Sequence, residues 1–184
     1  MTGDDGALTE AVREVIRDVP DFPQAGIMFR DITPVFGAIH LPLRIASWMA
    51  AAFAADAADH RIDAVACVEA RGFMLGPLVA RELGVGLIPV RKPDKLPGET
   101  LRQDYDLEYG TDSLEMHADA CGPGQRVLLV DDVLATGGTA TAACRLIERA
   151  GASVAGAAFL IELDGLDGAQ RLPVPSRSLL VLPA

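Results

Sequence analysis

The chain has 184 residues, half of them hydrophobic with few aromatics, and carries a formal net charge of −10. That length suits one domain with a sizeable core. So acidic a chain excludes nonspecific nucleic-acid binding, because every phosphate contact would be made against the repulsion of the whole molecule. Cys67, Cys121 and Cys144 are odd in number and scattered, which gives neither a disulfide framework nor a metal-ligand spacing and points to a reducing compartment. The opening MTGDDGALTE lacks the build of a signal peptide, and the longest apolar-looking run, Ile45 to Ala58, is too short to span a bilayer. A cytoplasmic protein is expected.

In chain order, Ala7, Leu8, Ala11, Val12, Val15, Ile16 and Val19 recur at three- and four-residue spacing, predicting an amphipathic first helix stopped by Pro20. DFPQAGIMFRDITPVF, residues 21–36, sets turn residues around the apolar cluster Ile27, Met28 and Phe29. It reads as a loop packed over the domain edge, or as a slot for a flat ring in which Phe29 stacks and Met28 backbone groups read heteroatoms. Leu41 to Arg61 is helical in pattern, with Pro42 tolerated in the first turn. Asp63 to Val68 reads as a buried strand, joined by Glu69, Ala70, Arg71 and Gly72 to a helix from Phe73 to Leu83 that Gly84 ends. An arginine at a helix start opposes the dipole. A surface salt bridge to Glu69 would explain Arg71, and so would a bidentate grip on a diphosphate helped by backbone N–H groups around Ala70.

Gly86 to Val90 is a further strand, leading into RKPDKLPGET. Its Arg91, Lys92 and Lys95 are the densest cationic cluster of an acidic chain, which suits an anion held at one place or a solvated turn. Leu101 to Met116 alternates around Tyr105, Leu107 and Tyr109 with turn residues Gly110 and Thr111, a flexible two-stranded flap able to close over a reacting centre. RVLLVDDVLATGGTATAACR, Arg126 to Arg145, reads as strand, loop and helix N-terminus: apolar Val127 to Val130 end in Asp131 and Asp132, and the small-residue turn Ala135 to Thr139 precedes a helix from Ala140 to Ala150. Such a loop aims backbone N–H groups and the positive end of a helix dipole at one point. Gly137 and Gly138 allow close approach, Thr136 and Thr139 add hydroxyls, and one phosphate fits. Adjacent carboxylates are costly to ionise together, and their natural partners are ligand hydroxyls or a hydrated cation. A ribose 5-phosphate answers both features. Ser153 to Leu163 and Ser178 to Leu182 read as final strands, with a turn or short helix from Asp164 to Gln170 between them. Strand-helix alternation without GxGxxG or GxxxxGK[ST] predicts an α/β fold with an open, mostly parallel sheet flanked by helices, and all three anion-binding stretches at its carboxyl edge.

VLLVDDVLATGGT resembles the phosphoribosyl-pyrophosphate (PRPP) signature of type I phosphoribosyltransferases. The resemblance covers nearly the whole chain, and the hood and flap stretches, DFPQAGIMFRDITP, EARGFMLGPLVARELGVGLIPVRKPDKLPGET and DLEYG, are similar to the branch acting on adenine. It implies one domain over residues 1–184, with a hood at roughly 20–36 and a flap at roughly 93–117. It implies conversion of adenine and PRPP to AMP and pyrophosphate, Mg²⁺ carried on substrate oxygens rather than in a protein metal site, and a homodimer. By the same resemblance Met28, Phe29 and Arg30 frame adenine and Leu163 covers its other face. Glu69, Ala70, Arg71, Lys92 and Lys95 serve the pyrophosphate, with Arg91 serving this site or a neighbouring subunit's. Asp131 and Asp132 take the ribose hydroxyls, and Ala135, Thr136, Gly137, Gly138 and Thr139 the 5-phosphate. Glu108 exchanges a proton with adenine and Tyr109 covers the centre. Gln24-Ala25 departs from the family, where a second proline is frequent. Two other classes share the core: a PRPP-sensing regulator, which would need a nucleic-acid-binding surface, and a transferase for xanthine or orotate, which would differ in its hood.

Overall fold

A computed structural model describes residues 3–22, 24–54, 61–107 and 110–184. In chain order the elements are α1 (Gly3–Val15), β1 (Arg17–Pro20), β2 (Met28–Asp31), α2 (Thr33–Gly37), α3 (Leu41–Ala54), β3 (Ala64–Val68), α4 (Gly72–Leu83), β4 (Gly86–Val90), β5 (Thr100–Leu107), β6 (Gly110–His117), β7 (Arg126–Leu134), α5 (Gly138–Arg149), β8 (Ser153–Asp164), α6 (Gly168–Arg171) and β9 (Ser176–Pro183). Five strands form one sheet in the order β4-β3-β7-β8-β9, every pair parallel. Two separate antiparallel hairpins stand apart from it: β1-β2, whose second strand falls in the stretch read as a hood, and β5-β6, in the stretch read as a flap. The expected mostly parallel sheet is thus parallel throughout.

The sheet is sandwiched. One core joins residues of α1, α3 and α4 to one face, and a second joins α5 and the flap residues Tyr105, Leu114 and Met116 to the other. Burial on both faces explains why β3 is a continuous apolar run, AVACV, buried along its length. Gly76 sets how closely α4 lies on β3, since a Cβ built there would stand 2.4 Å from the Cβ of Cys67. Gly76→Ala should therefore cost about 2 kcal/mol by overpacking, lowering the melting temperature by roughly 4–8 °C. A melt within a degree of the parent would refute that packing.

The first two core strands run outward one way, β3 to β4, and the rest the other way, β7 to β8 to β9. Chain direction therefore switches between β3 and β7, and the crevice beyond the carboxyl ends of strands at such a switch is where open α/β sheets bind ligands.

Several boundaries differ from the sequence reading, among them Gly110 and Thr111, expected in a turn and found in β6. The first helix ends at Val15, and Arg17–Pro20 pairs with the hood, Val19 opposite Phe29, so hairpin pairing overrides a helical pattern that would have run to Val19. The third helix ends its described course at Ala54, and Arg61 lies outside regular structure. The strand that carries Asp131 and Asp132 does not end at Val130. Its pairing with β3 stops at Cys67 opposite Val130, while pairing with β8 carries Val133 and Leu134 onward.

Candidate active site

That unequal pairing builds the site. Where β7 outruns β3, Asp131 and Asp132 lose a strand neighbour and face the β3–α4 connection. Gly72 makes the approach possible, because a Cβ there would lie 2.9 Å from Asp131 Oδ1 and 3.1 Å from the Val130 carbonyl. Asp131 Oδ1 accepts the Asp132 backbone N–H at 2.9 Å. Asp132 is 3% exposed, and its Oδ2 accepts no hydrogen bond although Arg71 Nε stands 2.8 Å away. The N–H is misaligned, so that contact is a charge pairing. Burial lifts the Asp131 carboxyl well above the ordinary range, and the like charge of Asp132 lifts it further. Burial also raises Asp132, with the Arg71 guanidinium working against it.

Beyond the acids, Ala135 and Thr136 turn the chain into α5, capped at its start by Gly137 in the left-handed conformation (φ 82°). Gly138 and Thr139 are already in the first helical turn rather than in the loop, so their N–H groups are among those a helix leaves without intrahelical partners. A cavity of about 70 Å³ is lined by Asp131 and the run from Val133 to Ala140. The loop is held from behind by α6: a Cβ on Gly137 would come 2.8 Å from the Gly168 carbonyl, and one on Gly168 would come 2.1 Å from the Ala135 carbonyl. Gly168 was not among the expected site residues. Its stretch, GLDGAQ, gives a turn signal only.

The cations divide differently from the sequence reading. Glu69 does not pair with Arg71; it takes Arg91, which donates from Nε at 3.0 Å and from Nη2 at 3.3 Å. The Lys92 backbone N–H adds a third bond at 3.1 Å. Burial opposes the Glu69 charge, but these donors hold its pKa below the ordinary range. Arg91 also donates to the Lys95 carbonyl at 2.9 Å and lies 6.0 Å over Phe73. Lys92 Nζ donates to Asp112 and, at 3.0 Å, to the Tyr105 hydroxyl, while Lys95 is exposed.

In the hood Phe29 meets Phe22 edge-on, ring centroids 5.0 Å apart, and receives the Arg71 guanidinium 5.6 Å over its ring. Arg30, expected to frame a base, instead pairs with Asp18 at 2.6 Å and donates to the Pro183 carbonyl at 2.8 Å. Strand alternation accounts for this: successive residues of β2 face opposite ways, so with Phe29 turned to Arg71, Arg30 fastens the hairpin to the end of β9. Met28 is exposed, and Leu163 is half-buried against the core shared with α1, α3 and α4. Glu108 and Tyr109 lie outside the described residues. Among the described residues no three His, Cys, Asp or Glu side chains gather as a metal-ligand set.

A switch-point crevice holding a phosphate-sized cavity, paired carboxyls and an arginine defines the phosphoribosyltransferase class, and the phosphoribosyl transferase domain model matches residues 40–177. The chain belongs to that family, and within it to the adenine phosphoribosyltransferases. It is 54% identical over 164 residues to the adenine phosphoribosyltransferase of Methylococcus capsulatus, spanning 89% of this chain and 93% of that protein. It is 53% identical over 170 residues to that of Nitrosococcus oceani, spanning 89% and 93%. Among solved structures, the Rhodothermus marinus enzyme superposes with a TM-score of 0.86 at 51% identity, covering 96% of this chain and 99% of that one. The Saccharomyces cerevisiae enzyme, solved with D-2,5-dideoxy-2,5-imino-altritol 1,6-bisphosphate and adenine, gives 0.91 at 36%, covering 95% and 99%.

Proposed function

We propose that the protein transfers the 5-phosphoribosyl group of PRPP to adenine, giving AMP and pyrophosphate, a purine-salvage reaction. The observation that carries this reading is the meeting, at the β3/β7 switch point, of the cavity beside Gly137 with the Asp131–Asp132 pair. A phosphate bound in that cavity leaves the ribose hydroxyls within reach of the carboxyls one turn of chain away.

Displacement of pyrophosphate from C1 forms a bond to a ring nitrogen of adenine and breaks the C1–oxygen bond, through a transition state with positive charge on the ribose. The Asp131–Asp132 pair orients the hydroxyls and favours that charge. Arg71 leaves Asp132 for the diphosphate, and the base then takes the face of Phe29 over which the guanidinium had stood. Lys92 and Lys95 add charge to the diphosphate, and Leu163 covers the base. By family resemblance Glu108 takes the proton released from adenine and Tyr109 shields the centre. Mg²⁺ carried on substrate oxygens would neutralise charge on the leaving diphosphate, and the hard oxygens of Asp131 and Asp132, one without a hydrogen bond, would suit its hydration shell. We extend the reading to a cytoplasmic homodimer: three buried free thiols suit a reducing compartment, and Met74 of α4 and Leu87 of the edge strand β4 are exposed apolar side chains available to a second copy.

Pure protein incubated with PRPP, Mg²⁺ and adenine, hypoxanthine, xanthine or orotate in turn should form nucleotide from adenine alone. Nucleotide from another base, or none from any, would overturn the reading. A Glu108→Gln arm should lose turnover yet still bind PRPP, and light scattering should give twice the chain mass.

A further inference from the structure

At the diphosphate edge each described arginine, and Lys92, is held by an acid of this chain: Arg71 by Asp132, Arg91 by Glu69 and Lys92 by Asp112. The first two acids belong to the strand ends that build the site. Asp112 does not. It sits on β6 of the flap, opposite Tyr105 of β5 in the hairpin register, and the Tyr105 hydroxyl donates to Asp112 Oδ2 at 3.0 Å while accepting from Lys92 Nζ at 3.0 Å. The ammonium also lies 5.6 Å over the Tyr105 ring. Tyr105 is 8% exposed, so one face of this triad is closed by the core, and the Ser113 backbone N–H fixes the other Asp112 oxygen at 2.7 Å. The stem of Lys92 is anchored separately, through its backbone bond to Glu69. Its side chain keeps 38% exposure, so the ammonium can change partner without the backbone moving.

We propose that Asp112 is a positioning residue that sets affinity for the diphosphate. Together with Tyr105 it holds the Lys92 ammonium ready, and it competes with the diphosphate for that ammonium. Capture of PRPP and release of pyrophosphate then each exchange one anion for another on Lys92. The inference rests on the phosphoribosyltransfer reading above and deepens it. It has a consequence opposite to that of an ordinary structural pair: removing Asp112 tightens anion binding and slows product release.

The experiment is calorimetry of pyrophosphate with Mg²⁺, together with steady-state kinetics, on the full chain and its variants. Asp112→Asn should bind pyrophosphate about fivefold more tightly, the size expected for losing one partly exposed competing ion pair. Its KM for PRPP should fall and its kcat should fall with it. Asp112→Glu should restore parent values. Asp119→Asn, which removes the same charge from the exposed turn after β6, should change binding by less than twofold and so accounts for general charge. Tyr105→Phe should move in the same direction as Asp112→Asn by a smaller factor, and it serves if that variant does not fold. Tight parent binding with unchanged or weaker binding by the Asp112→Asn and Tyr105→Phe variants overturns this inference alone. No binding of pyrophosphate by the parent overturns the site reading beneath it.

Discussion

Gly168→Ala, a change at a residue outside the substrate cavity, is expected to raise the KM for PRPP at least tenfold while leaving the KM for adenine within twofold. The added methyl would stand 2.1 Å from the Ala135 carbonyl and 3.0 Å from Leu134 Cγ. Both neighbours are held, the first by the turn into α5 and the second by pairing with Glu162 of β8, so the strain is relieved by moving the phosphate loop. Gly137→Ala attacks the same loop from the front. It forces alanine into φ 82° and drives its methyl to 2.8 Å from the Gly168 carbonyl. A left-handed non-glycine residue costs about 1–2 kcal/mol, and misaiming one donor at a bound anion costs about a hundredfold in rate. The expected order of PRPP efficiency is parent, then Gly168→Ala, then Gly137→Ala. If Gly168→Ala keeps the parent KM for PRPP, α6 does not brace the loop.

These two glycines show how far the sequence could be read. Gly137 was legible because the phosphate loop is a local device: strand, small residues and helix start follow one another within a dozen positions. The parallel sheet and its β3–α4 and β7–α5 connections were legible for the same reason, since each strand-helix junction is contiguous. Gly168 was not, because its partner Ala135 is distant in sequence and a close backbone approach leaves no mark beyond an ordinary turn. The cationic residues failed in the same way. Position at a helix start singled out Arg71, and local charge density Arg91 and Lys92, but which acid each one meets depends on how far β7 outruns β3 and on the hairpin register. Tyr105 opposite Asp112 was missed as well: the sequence reading put the turn at Gly110 and Thr111, whereas both belong to β6 and pair with Leu107 and Asp106, and a displaced turn changes every cross-strand partner. The side-chain partners of Arg30 were not legible either: once Phe29 is turned to Arg71, its neighbour on an extended strand faces away.

The largest effect on activity should come from Asp131→Asn, and it should come with a gain in stability. Burial and the neighbouring charge of Asp132 hold the Asp131 carboxyl above its ordinary pKa, so the folded protein binds more protons than the unfolded chain wherever pH lies between the two values. Stability therefore declines as pH rises from the ordinary carboxylate range through the raised folded pKa, and the full penalty stands above that folded value. Asparagine matches aspartate in size, so the close packing against Gly72 survives, and its carbonyl oxygen can still accept the Asp132 N–H. What disappears is one of two adjacent carboxylates. The variant should melt a few degrees higher at pH 7, and the difference should shrink toward pH 4, where the parent carboxyl is protonated. Turnover should fall about a hundredfold, because the amide neither orients the ribose hydroxyls as an anion nor opposes the positive charge developing on the sugar. A site that is stabilised by losing a charged residue holds that residue for chemistry rather than for folding. Thermal melts from pH 4 to 8 alongside steady-state rates decide the matter: a variant that melts lower at neutral pH, or one that turns over at the parent rate, would put Asp131 among the structural acids.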